Sequence, residues 1–431
     1  MIFSHLFIPQ NTTRQTDRYW CKMKYTALTK THMFERTKNI NLSAIKQIEL
    51  KASEYPDAIS LAQGIPDFDT PEFIKRRVER ALKRGVVAKY SLSPGLPELR
   101  ELIEESLEEE GMYYDWEKEI LVTAGSIEGI TATVMAITNP GDEVIIPEPT
   151  YTSYREVLSL AGCKAVFVPL DEEKGWGFDI ERFKKAITEK TRAIFYCNPN
   201  NPTGTIYTRE QLLSLADLAE ENDLFLISDE VYKDFIYDQD DFFSLAEIPK
   251  LRKRVIRIFS FSKAFAMTGW RVAYLHSDEE NVREITKVHD SLVTCAPVIS
   301  QYAAMGALEI GGEKVRIFRD EYKKRRDLIC ERVGALKDIF EFVQPDSAYY
   351  IFPKILPKVK EFFEKDTQIL TGNGRIDSRK FAHWLLDQTQ VATVPGVAFG
   401  PNGEGHIRMS FGRRKEDITE AFDRMNKLFN T

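Results

Sequence analysis

The stretch SFSKAFAMTGWR, residues 260–271, sets one lysine, Lys263, among Phe261, Ser262, Ala264 and Phe265, with Arg271 eight positions later. A long cation with such neighbours has two options. It can send its ammonium out to water. Or it can stay desolvated, which lowers its pKa and frees a lone pair for a Schiff base. Other short stretches carry groups that would matter in the second case. NPNNPTG (198–204) offers the amide of Asn201, and SDEVY (228–232) offers the carboxylate of Asp229 and the phenol of Tyr232. TAGS (123–126) leads into the apolar run SIEGITATVMAI, so that Gly125, Ser126 and Ile127 stand at a predicted helix start. Unpaired backbone N–H groups and the helix dipole favour an anion there. Taken singly, each stretch reads equally well as turn chemistry, a cap or a surface cation. Taken together, they amount to carbonyl capture beside an anion site.

These residues need a frame. Between about 120 and 280 the β-rich runs DEVIIP, KAVFVP, RAIFYC, DLFLIS, RVIRIF and RVAYL alternate with helical stretches, one of which opens on a Thr208–Gln211 capping box. Alternation of this kind predicts an α/β fold, a mainly parallel sheet covered by helices on both faces. Ligands of such sheets collect at the carboxyl ends of the strands, where NPNNPTG, Asp229 and Ser260–Lys263 fall. In TPEFIKRRVERALKR (70–84), Thr70 is the expected N-cap and Pro71 the first helical residue. A second acidic helix is predicted over 96–109. Beyond 320 a long basic helix, short strands around SAYYIFPKI, VATVPG and HIRMSFG, and a last helix predict a smaller α+β domain, into which the early segment also packs. The polar stretch 364–378 reads as a surface loop or insertion.

A chain of 431 residues is long enough for two lobes, and a net charge of −7 argues against nucleic acid as the main partner. No apolar run is long enough to span a bilayer. Cys21, Cys163, Cys197, Cys295 and Cys330 are dispersed and odd in number, which fits reduced thiols and a cytoplasmic location. The six histidines show no ligand spacing, so no metal site is expected. Residues 1–35 match nothing downstream and read as a disordered extension, with a basic, acid-poor portion that also suits a transit segment.

A carboxylate, a phenol, an amide, an amine, an arginine and a helix start suit an anionic, phosphorylated aromatic cofactor that bears an aldehyde. Pyridoxal phosphate has those features. SFSKAFAMTGWR, NPNNPTG, SDEVY and HIRMSFG, with LAQGIPDFDTP (61–71) and KYSLSPGLPELRELI (89–103), resemble the class I/II aminotransferases of pyridoxal-phosphate fold type I. The resemblance covers about residues 40–430 and is closest to the prokaryotic aspartate and aromatic branch.

The resemblance implies a large domain (76–320) built on a seven-stranded, mainly parallel sheet, and a small α+β domain from 36–75 and 321–431. It implies amino transfer from an L-amino acid to a 2-oxo acid, in ping-pong order through aldimine and ketimine. Lys263 matches the lysine that binds the cofactor and shuttles the proton, and Asp229 the acid at the ring nitrogen. Tyr232 and Asn201 match the pair at the phenolic oxygen, and Tyr151 the aromatic stacked on the ring. Gly125, Ser126, Ile127, Ser260, Ser262 and Arg271 match phosphate contacts. Tyr90 matches a tyrosine that reaches the neighbouring subunit's phosphate, which implies a homodimer with shared active sites. Arg408, Gly64 and Asn201 match groups that hold the substrate carboxylate. Ser126 and Ile127 stand where some relatives carry a second glycine or a lysine, so selectivity for acidic side chains is not implied. A carbon–sulfur β-lyase or an aminocyclopropanecarboxylate synthase would share these motifs. A non-catalytic regulator would need a basic DNA-binding module ahead of the fold.

Overall fold

A computed structural model of the chain describes residues 40, 42–238, 242–363 and 368–430. The expected extension over 1–35 and residues 364–367 of the predicted loop lie outside them.

The strands of the central sheet are β1 (Ile120–Thr123), β2 (Glu143–Glu148), β3 (Lys164–Pro169), β4 (Thr191–Cys197), β5 (Phe225–Asp229), β6 (Val255–Ser260) and β7 (Ala273–His276). Their order across the sheet is β1-β7-β6-β5-β4-β2-β3. Strand β7 is antiparallel to both of its neighbours, and all other pairings are parallel. Strands β1 to β6 therefore point one way, and β7 alone runs back. Every residue of β1, β2, β6 and β7 is buried, the continuous pattern of strands covered on both faces rather than one. The edge strand β3 is only partly buried.

Helices link successive strands. Ser126–Ile137 follows β1 and Ser153–Ala161 follows β2. Arg209–Glu221 follows β4 and opens on the predicted capping box, in which the Thr208 hydroxyl accepts from the Gln211 N–H and the Gln211 side chain accepts from the Thr208 N–H. Strand β1 has no counterpart among the predicted runs. Its four residues, ILVT, are too few to show a period.

The early and late segments meet as expected from their patterns. Ile59–Ser60 pairs in parallel with Val391–Ala392. Ile407–Ser410 lies between Tyr350–Ile351 and Val394–Pro395 in a three-stranded antiparallel sheet. Helices Ala44–Ala52, Ser378–Thr389 and Lys415–Phe429 belong to the same segments. The helices Glu72–Lys83 and Gly312–Ala335 run without a break through residues 75 and 320.

One local expectation is corrected. Helix Glu72–Lys83 starts one residue later than predicted, with Pro71 at the cap and no side-chain cap bond. The Thr70 hydroxyl has tertiary partners instead: it donates to the Ala266 carbonyl (2.8 Å) and accepts from Trp270 Nε1 (3.0 Å). Thr70 thus braces the loop that follows Lys263. In the polar stretch, Leu370 bridges to Ile376, and the Asp377 carboxylate caps helix Ser378–Thr389 by accepting from the Arg379 and Lys380 N–H groups.

Candidate active site

Because only β7 is reversed, the carboxyl ends of β1, β2, β4, β5 and β6 share one edge with the start of β7. That edge gathers TAGS, Tyr151, NPNNPTG, Asp229, Ser260–Lys263 and Arg271.

Lys263 sits on the four-residue helix Phe261–Ala264. The Ser260 side chain caps this turn, accepting from the Ser262 N–H (3.2 Å) and donating to the Ser262 hydroxyl (2.9 Å). Lys263 Nζ donates to the Gly64 carbonyl at 2.7 Å and lies 5.9 Å from the ring centres of both Tyr232 and Tyr349. Burial, then the Arg408 charge and more weakly that of Arg271, push its pKa down to about 8 against the opposing pull of Asp229. Lys263 is half-buried, with its Nζ turned inward to the Gly64 carbonyl.

Asp229 ends β5 and is 4% exposed. Its carboxylate accepts from the Tyr154 hydroxyl (2.6 Å) and the Val231 N–H (3.3 Å), both neutral donors. Burial raises its pKa to about 6. The adjacent Glu230 turns to the opposite face, as alternation along a strand requires. There it meets the buried Arg257 and accepts from Ser228 and Ser244, each at 2.7 Å. Glu230 thus has a cation to balance it, whereas Asp229 forms no salt bridge among the described residues.

Arg408 is the mirror case. It is 1% exposed, and Nη1 donates to Asn201 Oδ1 at 3.0 Å while Nη2 donates to the Ala62 carbonyl. Its Nε has no partner among the described residues, and no carboxylate pairs with it. Its guanidinium carbon lies 4.3 Å from the Tyr350 ring centre and 5.0 Å from that of Phe399. Asn201 Nδ2 donates to the Tyr232 hydroxyl at 3.4 Å, and that hydroxyl lies 2.9 Å from the Tyr350 hydroxyl. Gly64 has no room for a side chain, since a Cβ would fall 1.9 Å from the Tyr350 oxygen.

At the β1 end, Gly125 takes φ +88°, which requires glycine, and a Cβ there would also push aside the Arg271 tip, 2.3 Å away. Ser126 opens the helix Ser126–Ile137 immediately after it, with Ile127 in its first turn. Arg271 is exposed, with φ +55°, and donates to the Thr268 carbonyl at 3.0 Å. Tyr151 is half-buried, its ring edge-on to that of Tyr154 at 5.4 Å. Tyr90 is 83% exposed and contributes nothing to the cluster within its own chain.

These features fit pyridoxal phosphate. A buried carboxylate without a cation suits a protonated ring nitrogen, and a desolvated amine suits an aldehyde. A helix start beside an arginine suits a phosphate, and an unpaired buried guanidinium suits a carboxylate. Tyr154, Tyr349 and Tyr350 were not apparent in the sequence. Tyr154 lies in the first turn of helix Ser153–Ala161, just past Tyr151, and SAYYIF carried only a strand signal.

Fold and site together define a class: enzymes that bind a carbonyl cofactor at the edge of an α/β sheet. The sequence matches the family "Aminotransferase class I and II" over residues 56–425. It is 38% identical over 399 residues to the aspartate aminotransferase of Pyrococcus abyssi, covering 92% of this chain and 98% of that one. It is 36% identical over 397 residues to aromatic-amino-acid aminotransferase 2 of Thermococcus litoralis, covering 91% and 97%. Among solved structures, the Thermus thermophilus aspartate aminotransferase with maleate superposes with a TM-score of 0.83 at 33% identity, covering 93% of this chain and all of that one. The chain belongs to the class I and II aminotransferases, as a pyridoxal-phosphate-dependent transaminase of fold type I. The relatives do not favour the lyase reading.

Proposed function

We propose that Lys263, Asp229 and Arg408 are the working centre and that the amino donor is an acidic or aromatic L-amino acid, the acceptor a 2-oxo acid. One observation carries this reading. Lys263 and Asp229 stand at one sheet edge, Arg408 reaches Asn201 there from the strand Ile407–Ser410, and none of the three forms a salt bridge among the described residues. Leaving buried charges unpaired is costly, and an amine, an acid and an arginine left so are what cofactor and substrate would balance.

Pyridoxal phosphate, when bound, supplies an aldehyde for amines and a ring that takes up the electron pair left at the substrate α-carbon. Asp229 holds the proton on the ring nitrogen, and Tyr232 and Asn201 act at the phenolic oxygen. Gly125, Ser126, Ile127, Ser260, Ser262 and Arg271 would hold the phosphate, and Tyr151 would contact the ring. Arg408, with Asn201 and the backbone of Gly64, grips the donor carboxylate. Lys263 would take the proton from the donor α-carbon as general base and hold it on Nζ for return as general acid. The donor classes rest on the relatives' names, aspartate aminotransferase and aromatic-amino-acid aminotransferase.

The test is a half-reaction. Aspartate or an aromatic amino acid alone is expected to bleach the visible cofactor band stoichiometrically, and a 2-oxo acid to restore it. Arg408→Lys loses the bidentate grip and is expected to raise donor half-saturation about 10- to 100-fold, with cofactor affinity unchanged. Release of pyruvate and ammonia, or a variant that loses cofactor rather than donor affinity, would overturn this assignment.

A small lobe that joins the early and late segments belongs to the same reading, supported by the pairing of Ile59–Ser60 with Val391–Ala392, though two helices run on through residues 75 and 320. So does a homodimer in which Tyr90 completes the partner's phosphate site. Tyr90 is 83% exposed and Leu92 67% exposed, and Arg271 is open to solvent as well. Sedimentation of the holoprotein is expected to give twice the chain mass, and Tyr90→Phe to weaken cofactor retention without splitting the dimer. A fully active monomer would refute it. A cytoplasmic location is supported by the cysteines, of which Cys163, Cys197, Cys295 and Cys330 are free.

A further inference from the structure

Tyr350 has no part in the roles given above, yet it touches two of the groups that do. We propose that Tyr350 is a positioning residue that aims the Tyr232 hydroxyl at the cofactor's phenolic oxygen and couples it to the carboxylate-binding Arg408. The contacts close a ring. Arg408 Nη1 donates to Asn201 Oδ1 (3.0 Å), and Asn201 Nδ2 donates to the Tyr232 hydroxyl (3.4 Å). The Tyr232 and Tyr350 hydroxyls lie 2.9 Å apart, and the Tyr350 ring returns to Arg408 at 4.3 Å. A phenol has one proton and two lone pairs. Either phenol can donate across the 2.9 Å contact; in the arrangement proposed Tyr350 donates and Asn201 does too, so Tyr232 keeps its own proton for the cofactor oxygen.

The backbone is built to hold Tyr350 in place. Ala348, two residues before it, takes φ +57°, a conformation rarely adopted by a residue with a side chain. The Ala348 N–H donates to the Phe235 carbonyl (2.9 Å), and its carbonyl accepts from the Tyr237 hydroxyl. Tyr350 and Ile351 then pair with Ser410 and Met409 on the strand that carries Arg408. Gly64 makes room, since a Cβ there would meet the Tyr350 oxygen at 1.9 Å and its ring carbon at 2.8 Å. The glycine has no positive φ to explain it, so it is this phenol that requires it.

The inference rests on the role given to Tyr232, and the test separates the two. A donor at the phenolic oxygen favours the lysine linkage in its deprotonated form, which leaves the oxygen's charge unbalanced. Tyr350→Phe is therefore expected to raise the pKa at which the visible band titrates by about 0.4 to 1 pH unit, the equivalent of one neutral hydrogen bond. The phenyl ring remains over Arg408, so donor KM is expected to change less than about threefold, whereas Tyr350→Leu raises it about tenfold. In a Tyr232→Phe background, Tyr350→Phe is expected to move the band no further, because there is no hydroxyl left to aim. A titration in Tyr350→Phe that matches wild type at equal cofactor content overturns the inference, as does an equal shift in both backgrounds. If Tyr232→Phe alone leaves the titration unmoved, it is the Tyr232 assignment that fails.

Discussion

Lys263→Ala is expected to abolish the visible cofactor band and to lower turnover by at least about 10⁴-fold, the upper range for a single acid–base group. The expectation is larger than for a residue that only binds, because one amine both anchors the cofactor and moves the proton. The environment makes the result sharper than the substitution alone. Lys263 is half-buried with Nζ on the Gly64 carbonyl at 2.7 Å, and desolvation, then Arg408 and more weakly Arg271, hold its pKa at about 8. The neutral amine is the nucleophile, so its population grows about tenfold per pH unit below that value and levels above it. Cofactor-free protein mixed with pyridoxal phosphate should regain its band at a rate that climbs through about pH 8 and then flattens. An ordinary surface lysine would keep accelerating past about pH 10. Retention of the band in Lys263→Ala, or a rate still rising beyond pH 10, would remove Lys263 from its role.

The site was legible in the sequence where its residues follow strands. β-branched and aromatic runs mark β2 to β6, and turn residues mark where they stop, so Asn201, Asp229 and Lys263 could be placed at one edge before any coordinates. Arg271 was harder. It reaches that edge because β7 runs opposite to its neighbours, and a short buried run carries no sign of direction. The supporting phenols were not readable at all. Tyr154 and Asp229 lie 75 residues apart in sequence, and Tyr350 and Tyr232 lie 118 apart. Nothing in a local pattern distinguishes these from core tyrosines. Thr70 failed as a cap for the same reason, since its hydroxyl is taken by groups nearly 200 residues away. Gly64 was identified as a site of close backbone approach, but the crowding phenol above it emerged only with the fold.

The contrast between Asp229 and its neighbour Glu230 makes the second large effect calculable. Both are buried acids at the end of β5, and only Glu230 has an arginine. Asp229 relies on Tyr154 and a backbone N–H, and burial lifts its pKa to about 6, so it is ionised at neutral pH by a narrow margin. A protonated ring nitrogen beside it lowers that pKa and in turn keeps its own proton. Asp229→Asn preserves the shape and the Tyr154 contact but removes the charge. The ring nitrogen then loses the proton that the acid would hold there, a loss of stabilisation on the order of 3–5 kcal/mol, and kcat/KM is expected to fall about 10²- to 10⁴-fold. The covalent link to Lys263 does not depend on that charge, so the visible band is expected to persist. Band kept and turnover lost therefore distinguishes Asp229 from Lys263, whose removal takes both. An Asp229→Asn protein within about threefold of wild type would mean that the ring works without a fixed proton, and the acid would be reduced to a structural end-cap of its strand.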